Sequence, residues 1–202
     1  MLTRRCTGRQ IRQCFKEHST RPPVSYLLCL MGEDMQIIEQ IKRTREYLDY
    51  VEEHVLNVQK AWNVMKEKCN DMRFIYDALF YHNLNRAVNR HDLTKLSENE
   101  FIQYRKAFFP TDSEPKYDMT EAWEHHKKYN SHHWENWGSN TNRTIHPDDW
   151  EIDCAHMVCD WMAMGCKLGD TARQYYESNK DEIKLPEWAA PFIYEIFDRI
   201  EA

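Results

Sequence analysis

From Asp34 onward the apolar residues Ile37, Ile38, Ile41, Leu48, Val51, Val55, Val58, Trp62 and Met65 recur at three- and four-residue steps. That is the period of one helix face, so a long first helix is expected from Asp34. Asn70-Asp71 can cap a second helix, running through Phe74, Ile75, Leu79 and Leu84 to about Asn89. Ser97-Glu98-Asn99-Glu100 reads as a capping box that opens a third, ended before Pro110. Asp118-Met119-Thr120-Glu121 repeats the signal for a fourth helix, Glu121 to about Tyr129. A polar stretch, 130–146, reads as a loop, after which Pro147 opens a fifth helix through Glu151, Met157 and Trp161, with Gly165 and Gly169 near its end. Asp170-Thr171 starts a sixth, and a last short helix follows Pro186, with a bend expected at Pro191. No Gly lies between Gly32 and Gly138, and no Pro between Pro23 and Pro110. No stretch alternates as a strand does. The expectation is one all-α domain, a helical bundle, over residues 34–202.

Composition supports a packed core. Of 202 residues, 42% are apolar and 13% aromatic, with seven Trp, which excludes a disordered chain. A mean hydropathy of −0.83 excludes a membrane-embedded one. The charge is uneven. Residues 1–30 carry Arg4, Arg5, Arg9, Arg12, Lys16 and Arg21 against Glu17, a sum of +5 that leaves −11 of the total −6 for the rest. Residues 1–33 therefore read as a basic, poorly ordered extension outside the fold. A transit peptide or a true start at Met31 or Met35 would give the same pattern. The acidic body disfavours long nucleic acid as a partner. Seven Cys without a C-x-x-C pair exclude a thiolate zinc knuckle and favour a reducing, cytosolic compartment. So many Trp in an all-α chain also suit a homodimer.

The unusual count is His. There are ten, eight of them between His82 and His156. His91-Asp92-Leu93-Thr94-Lys95 falls between two helices, where an adjacent imidazole and carboxylate can turn toward one cation. His54 lies on or beside the apolar stripe of the first helix. His125-His126 and His132-His133 put four imidazoles in nine positions, the first pair near a helix end and the second just beyond it. Asp160 is embedded in the apolar run Met157–Met164, where a carboxylate is costly unless paired or bound to a metal. Asp153 and His156 share its helix face and are rival or supporting groups. Spacing alone does not choose His125 over His126, and His82 stays outside the set.

In chain order the set is His54, His91-Asp92, His126, His132-His133, Asp160. It resembles the HD-domain superfamily of metal-dependent phosphohydrolases, an all-α fold with the order His, His-Asp, Asp. His91-Asp92-Leu93-Thr94-Lys95 is similar to its His-Asp-x-x-Lys signature, and the helices carrying His54 and Asp160 resemble its first and last ligand helices. The extra histidines resemble the dinuclear branches, which include HD-GYP phosphodiesterases and diiron oxygenases of the myo-inositol oxygenase type. No Gly-Tyr-Pro motif follows His132-His133-Trp134-Glu135. The overall likeness is closer to an uncharacterised family of bacterial and phage proteins, over roughly residues 45–180.

The resemblance implies one or two divalent ions, with Fe, Mn, Mg, Zn and Ni all compatible with these donors. With two, Asp92 would bridge; His54, His91 and Asp160 would complete one ion, and His126 with His132 or His133 the other. Hydrolysis of a small nucleotide-like phosphomonoester or phosphodiester follows as the expected reaction, with Asp92 and Lys95 as the residues of the chemistry. Lys95 would meet phosphate charge, and Arg86, Arg90, Lys127 and Lys128 could add contacts. Tyr129, Trp134 and Trp137 could stack a base. Glu98-Asn99-Glu100 and the acids of 148–153 would repel polyanions at the rim. The alternatives are a diiron oxygenase on the same ligands and a non-catalytic, metal-stabilised binding module.

Overall fold

The computed structural model describes residues 24–115, 117–137 and 150–202. It is all-α, with no strand among the described residues. The helices are α1 (Val24–Lys68), α2 (Arg73–Tyr76), α3 (Ala78–Asn89), α4 (Phe101–Phe108), α5 (Thr120–Tyr129), α6 (Trp150–Leu168), α7 (Ala172–Ser178) and α8 (Ala189–Glu201). Short 3-10 turns occupy Leu93–Leu96 and Trp134–Asn136. No described helix is long and apolar enough to cross a membrane.

The chain divides at Ile41 into two units. Of the first, α1 residues from Val24 are described, so helix begins ten residues before Asp34. The rest of the expected basic extension, residues 1–23, lies outside the described residues. Met35, Ile37, Ile38 and Ile41 are exposed. The second unit, Lys42–Ala202, contains the core. Here the buried face of α1 is Tyr47, Val51, His54, Val58, Ala61, Trp62 and Met65, while Leu48 points outward.

Helix α6 runs through the middle of this unit. Every residue from Ile152 to Cys159 is buried, so the helix is covered nearly all round, as its apolar composition requires. It packs against α3, α7 and α8. Its core partners include Val58, Trp62 and Met65 of α1, Leu84 and Val88 of α3, and Ile193 and Phe197 of α8. A smaller cluster, Tyr47, Val51, Tyr104 and Ala122, ties α1 to α4 and α5.

Local chemistry moves several expected boundaries. The second expected helix is two, because the Asp77 carboxylate accepts from the N–H groups of Leu79 and Phe80 and caps α3. Ser97 caps nothing; α4 starts after Glu100 with no side-chain cap. Asp118 accepts from Thr120 N–H, starting α5, and Thr171 with Gln174 forms a complete capping box for α7. Pro147 lies outside the described residues. Pro191 sits in the first turn of α8, where a missing N–H leaves no helical bond unmade.

Candidate metal centre

Four parts of the fold meet around Asp92. The middle of α1 supplies His54, and the turn after α3 supplies His91 and Asp92. The second half of α5 and the segment after it supply His126, His132 and His133, and the middle of α6 supplies Asp160. All seven are buried or nearly so, and the structure brings together every residue of the expected set.

The turn itself is strained. Asp92 has φ 55°, the only positive φ of a non-glycine among the described residues. A left-handed aspartate costs roughly 1 kcal/mol or more and persists where surrounding contacts over-determine it. Lys95 N–H donates to the Asp92 carbonyl at 2.9 Å, and Tyr47 Oη–H donates to the Lys95 carbonyl at 3.1 Å, pinning the segment from α1.

The two Asp92 oxygens face different neighbours. Oδ2 lies 3.3 Å from His91 Nε2 and 3.6 Å from His54 Nε2; His54 Nε2 is 3.1 Å from Asp160 Oδ1 and 2.9 Å from His91 Nε2. Oδ1 lies 3.2 Å from His126 Nε2 and 3.6 Å from His132 Nε2. His54, His91 and Asp160 thus form one group with donor atoms converging within 4.8 Å, and Asp92, His126, His132 and His133 form another. Asp92 Oδ1, His132 Nε2 and His133 Nε2 are buried without a hydrogen-bond partner. Each such atom costs about 1–3 kcal/mol unless something satisfies it. Three unpartnered atoms in a group whose donors converge within 4.8 Å fit a divalent cation, and the donor set of imidazoles and carboxylates suits a first-row ion.

The charge states of the rings differ. Burial holds His132 below the usual imidazole range and His133 down at about 4, so both rings are neutral donors at pH 7. Asp92 and Asp160 are held well below the usual carboxylate range; burial opposes this, and the surrounding His rings, with Lys95 beside Asp92, outweigh it. His126 is pushed up to about 9, where burial is outweighed by the carboxylates of Asp92 and Glu100 on either side of the ring.

Around these groups a further layer fixes the rings. His91 Nδ1 meets His156 Nε2 at 3.0 Å, so His156 orients His91; it also belongs to a third convergent group with His91 and His132. Glu100, fully buried, takes His126 Nδ1 at 2.9 Å and His125 Nδ1 at 2.6 Å, and accepts from Thr94 Oγ1 at 3.0 Å. The choice between the paired histidines follows: His126 enters the cluster and His125 serves Glu100.

Sequence reasoning placed Glu100 at a repelling rim, and the structure corrects this to a buried carboxylate against His126. Glu151 pairs with Arg73 at 3.8 Å and Asp153 is buried, so neither belongs to an acidic rim; Asp148 and Asp149 lie outside the described residues. Lys95 is engaged with Asp92 Oδ2 at 2.6 Å. Lys127 pairs with Glu124, and Lys128 lies over Tyr129. Tyr129 is exposed beside His125, and Trp137 packs on Trp188, so of the three expected stacking residues only Trp134 faces the centre.

Above the cluster is a cavity of about 310 Å³ walled by aromatic side chains, among them Tyr50, Tyr104, Phe108, Trp123 and Trp161. Among the described residues its only Lys or Arg is Lys95, and its carboxylates are Asp92, Asp160 and Glu135.

Fold and site together define an all-α protein with buried His/Asp groups that could hold a metal ion. Residues 43–199 match the model of a family of unknown function (DUF5662), and the chain belongs to that family. No curated protein and no solved structure matches it.

Proposed function

We propose that the protein is a metal-dependent phosphohydrolase of the HD type, acting on a small nucleotide-like phosphate ester. The observation that carries this reading is the division of Asp92, one carboxylate oxygen toward His54 and His91 and the other toward His126 and His132. A bridging carboxylate between two three- or four-donor groups is what a dinuclear hydrolytic site needs. Divalent ions held there would supply charge neutralisation at phosphorus and a water acidic enough to attack near neutral pH.

The chain's own residues divide the remaining work. His54, His91 and Asp160 hold one side, and His126, His132 and His133 the other. Lys95 balances Asp92 and brings its ammonium to the cavity wall, where an ester oxygen would lie. The aromatic wall excludes water and offers faces for a planar or apolar leaving group. Among the described residues, three carboxylates against one ammonium leave the wall negative; two divalent ions would turn this to an excess of about two positive charges, matching a phosphate dianion better than a long polyanion.

The test is phosphate release from a mixed panel of nucleotides and phosphate esters, with protein loaded separately with Mn, Mg, Fe, Zn or Ni. Asp92→Asn is the decisive variant, because Asn tolerates the left-handed backbone and keeps the side-chain shape. Metal-dependent release should fall at least about a thousandfold with helical content unchanged. Unchanged turnover in that variant overturns the reading. Oxygen uptake by iron-loaded protein without phosphate release would favour the diiron oxygenase instead.

A further inference from the structure

Arg86 and Arg90, grouped with the metal site by sequence as phosphate contacts, stand in the last turn of α3 and at its C-cap and line a different cavity. This second cavity, of about 810 Å³, lies on the other side of the His-Asp turn and, among the described residues, shares no lining residue with the first. Asn83, Ser97, Asp153 and His156 contribute to its wall with the two arginines. Neither guanidinium has an acidic partner among the described residues, and both line this one cavity. His156, 4% exposed, keeps Nδ1 without a hydrogen-bond partner, and the buried Ser97 Oγ is likewise unpartnered. A donor-rich wall with two free guanidiniums and one carboxylate suits a phosphate, for which the fork of Arg is well shaped. The volume exceeds what inorganic phosphate needs and leaves room for an organic body.

We propose that this cavity binds a small molecule carrying one or more phosphate groups, separately from the metal centre. Its wall reaches that centre through two side chains: Thr94 donates to Glu100, which holds His126, and His156 holds His91. An occupant therefore touches residues one or two hydrogen bonds from the metal-type donors, the position of an effector rather than of a second reaction centre. This inference stands on the second cavity alone and does not depend on the reaction proposed above.

Calorimetric titration of the full chain, stripped of divalent ions by chelator so that the metal centre offers no second phosphate site, with pyrophosphate as probe tests it. Wild type should take up one pyrophosphate per chain. Arg86→Gln/Arg90→Gln should weaken that binding by about tenfold or more, through loss of charge-assisted hydrogen bonds. Arg86→Lys/Arg90→Lys should recover part of the loss. Both positions are exposed, and Arg86 stands in a helix that Gln and Lys suit while Arg90 lies just past its end, so circular dichroism should be unchanged. His54→Ala, which removes a donor from the metal centre, should leave pyrophosphate affinity within about threefold, since the two sites share no wall. Undiminished binding in the Arg-to-Gln variant, loss of binding in His54→Ala, or no binding by wild type would each overturn the proposal.

Discussion

Glu100 and His126 face each other at 2.9 Å, carboxylate oxygen to Nδ1, in the interior of the protein. An ionised carboxylate can only accept, so Nδ1 carries the proton and Nε2 is turned to Asp92 Oδ1, 3.2 Å away. A lone pair and a carboxylate oxygen that close repel unless a positive charge lies between them. Without metal, a second ring proton supplies it, which is why His126 is pushed up to about 9. A divalent cation would satisfy the same two atoms and the orphaned nitrogens of His132 and His133 as well.

On the proposed two-metal reading, Glu100→Gln should therefore weaken one ion more than the other. Carboxylates behind a ligating His are typically worth about 10–100-fold in metal affinity. Metal titration followed by elemental analysis reads this directly: the tighter site should stay filled while the other empties. Equal retention of both ions by the variant would show that Glu100 serves packing alone.

Metal should also stabilise the fold. The donors come from α1, the turn after α3, α5 and α6, so unfolding disperses them and an ion binds the native state selectively. At about 100 times its dissociation constant an ion adds about 2.7 kcal/mol, and for a chain of this size each kcal/mol moves Tm by about 2–4 °C. Thermal scans with and without chelator should differ by roughly 5–10 °C. The difference should vanish in Asp160→Asn combined with His126→Gln. A chelator-insensitive Tm in wild type would contradict a metal centre that spans the bundle.

Much of this was legible in the chain because helical period and His-Asp spacing are local signals. His54, His91, Asp92 and Asp160 needed only the right order to be grouped. Glu100 was missed because Ser97-x-x-Glu100 is the same local pattern as a capping box, and only the fold shows that the carboxylate turns inward to His126. Ile37, Ile38 and Ile41 show the opposite failure: periodicity tells which residues share a face, not whether anything covers it. The separation of Arg86 and Arg90 from Lys95 was equally invisible, since the chain places them five to nine residues apart and the His-Asp turn sends them to opposite sides.

Gly165 tests how tightly the end of α6 is packed beneath Asp160. A Cβ built there would lie 2.2 Å from the Asp170 carbonyl oxygen, a backbone atom that cannot swing aside. Gly165→Ala should destabilise by about 2–3 kcal/mol, the usual cost of forced overpacking. Gly169, at φ +88° with open space around it, should cost about 1–2 kcal/mol on the same substitution, through backbone strain alone. Urea unfolding of the two variants separates them. A smaller loss at Gly165 than at Gly169 would mean that the α6–α7 turn opens readily.

Acid stability should depend measurably on Glu114. Its carboxylate receives both terminal nitrogens of Arg105, at 2.5 and 2.6 Å, and the Thr111 N–H at 2.9 Å. These bonds, the Arg105 pair foremost, hold Glu114 down at about 2, against an ordinary 4.5. A carboxyl depressed in the folded state contributes stability that is fully present above its unfolded value and is lost as pH falls through the folded one. The contribution is therefore intact at pH 7, declines below about pH 4.5 and is gone near pH 2. Because removing both charged groups from water offsets part of the gain, the pair, with side chains 6% and 13% exposed, is worth on the order of 1–2 kcal/mol rather than the full value of the shift. Glu114→Gln should be less stable than wild type by that amount at pH 7, and the two unfolding curves should converge between pH 4 and pH 2. A gap that stays constant across that window would mean that the Arg105 contact contributes through shape and not through charge.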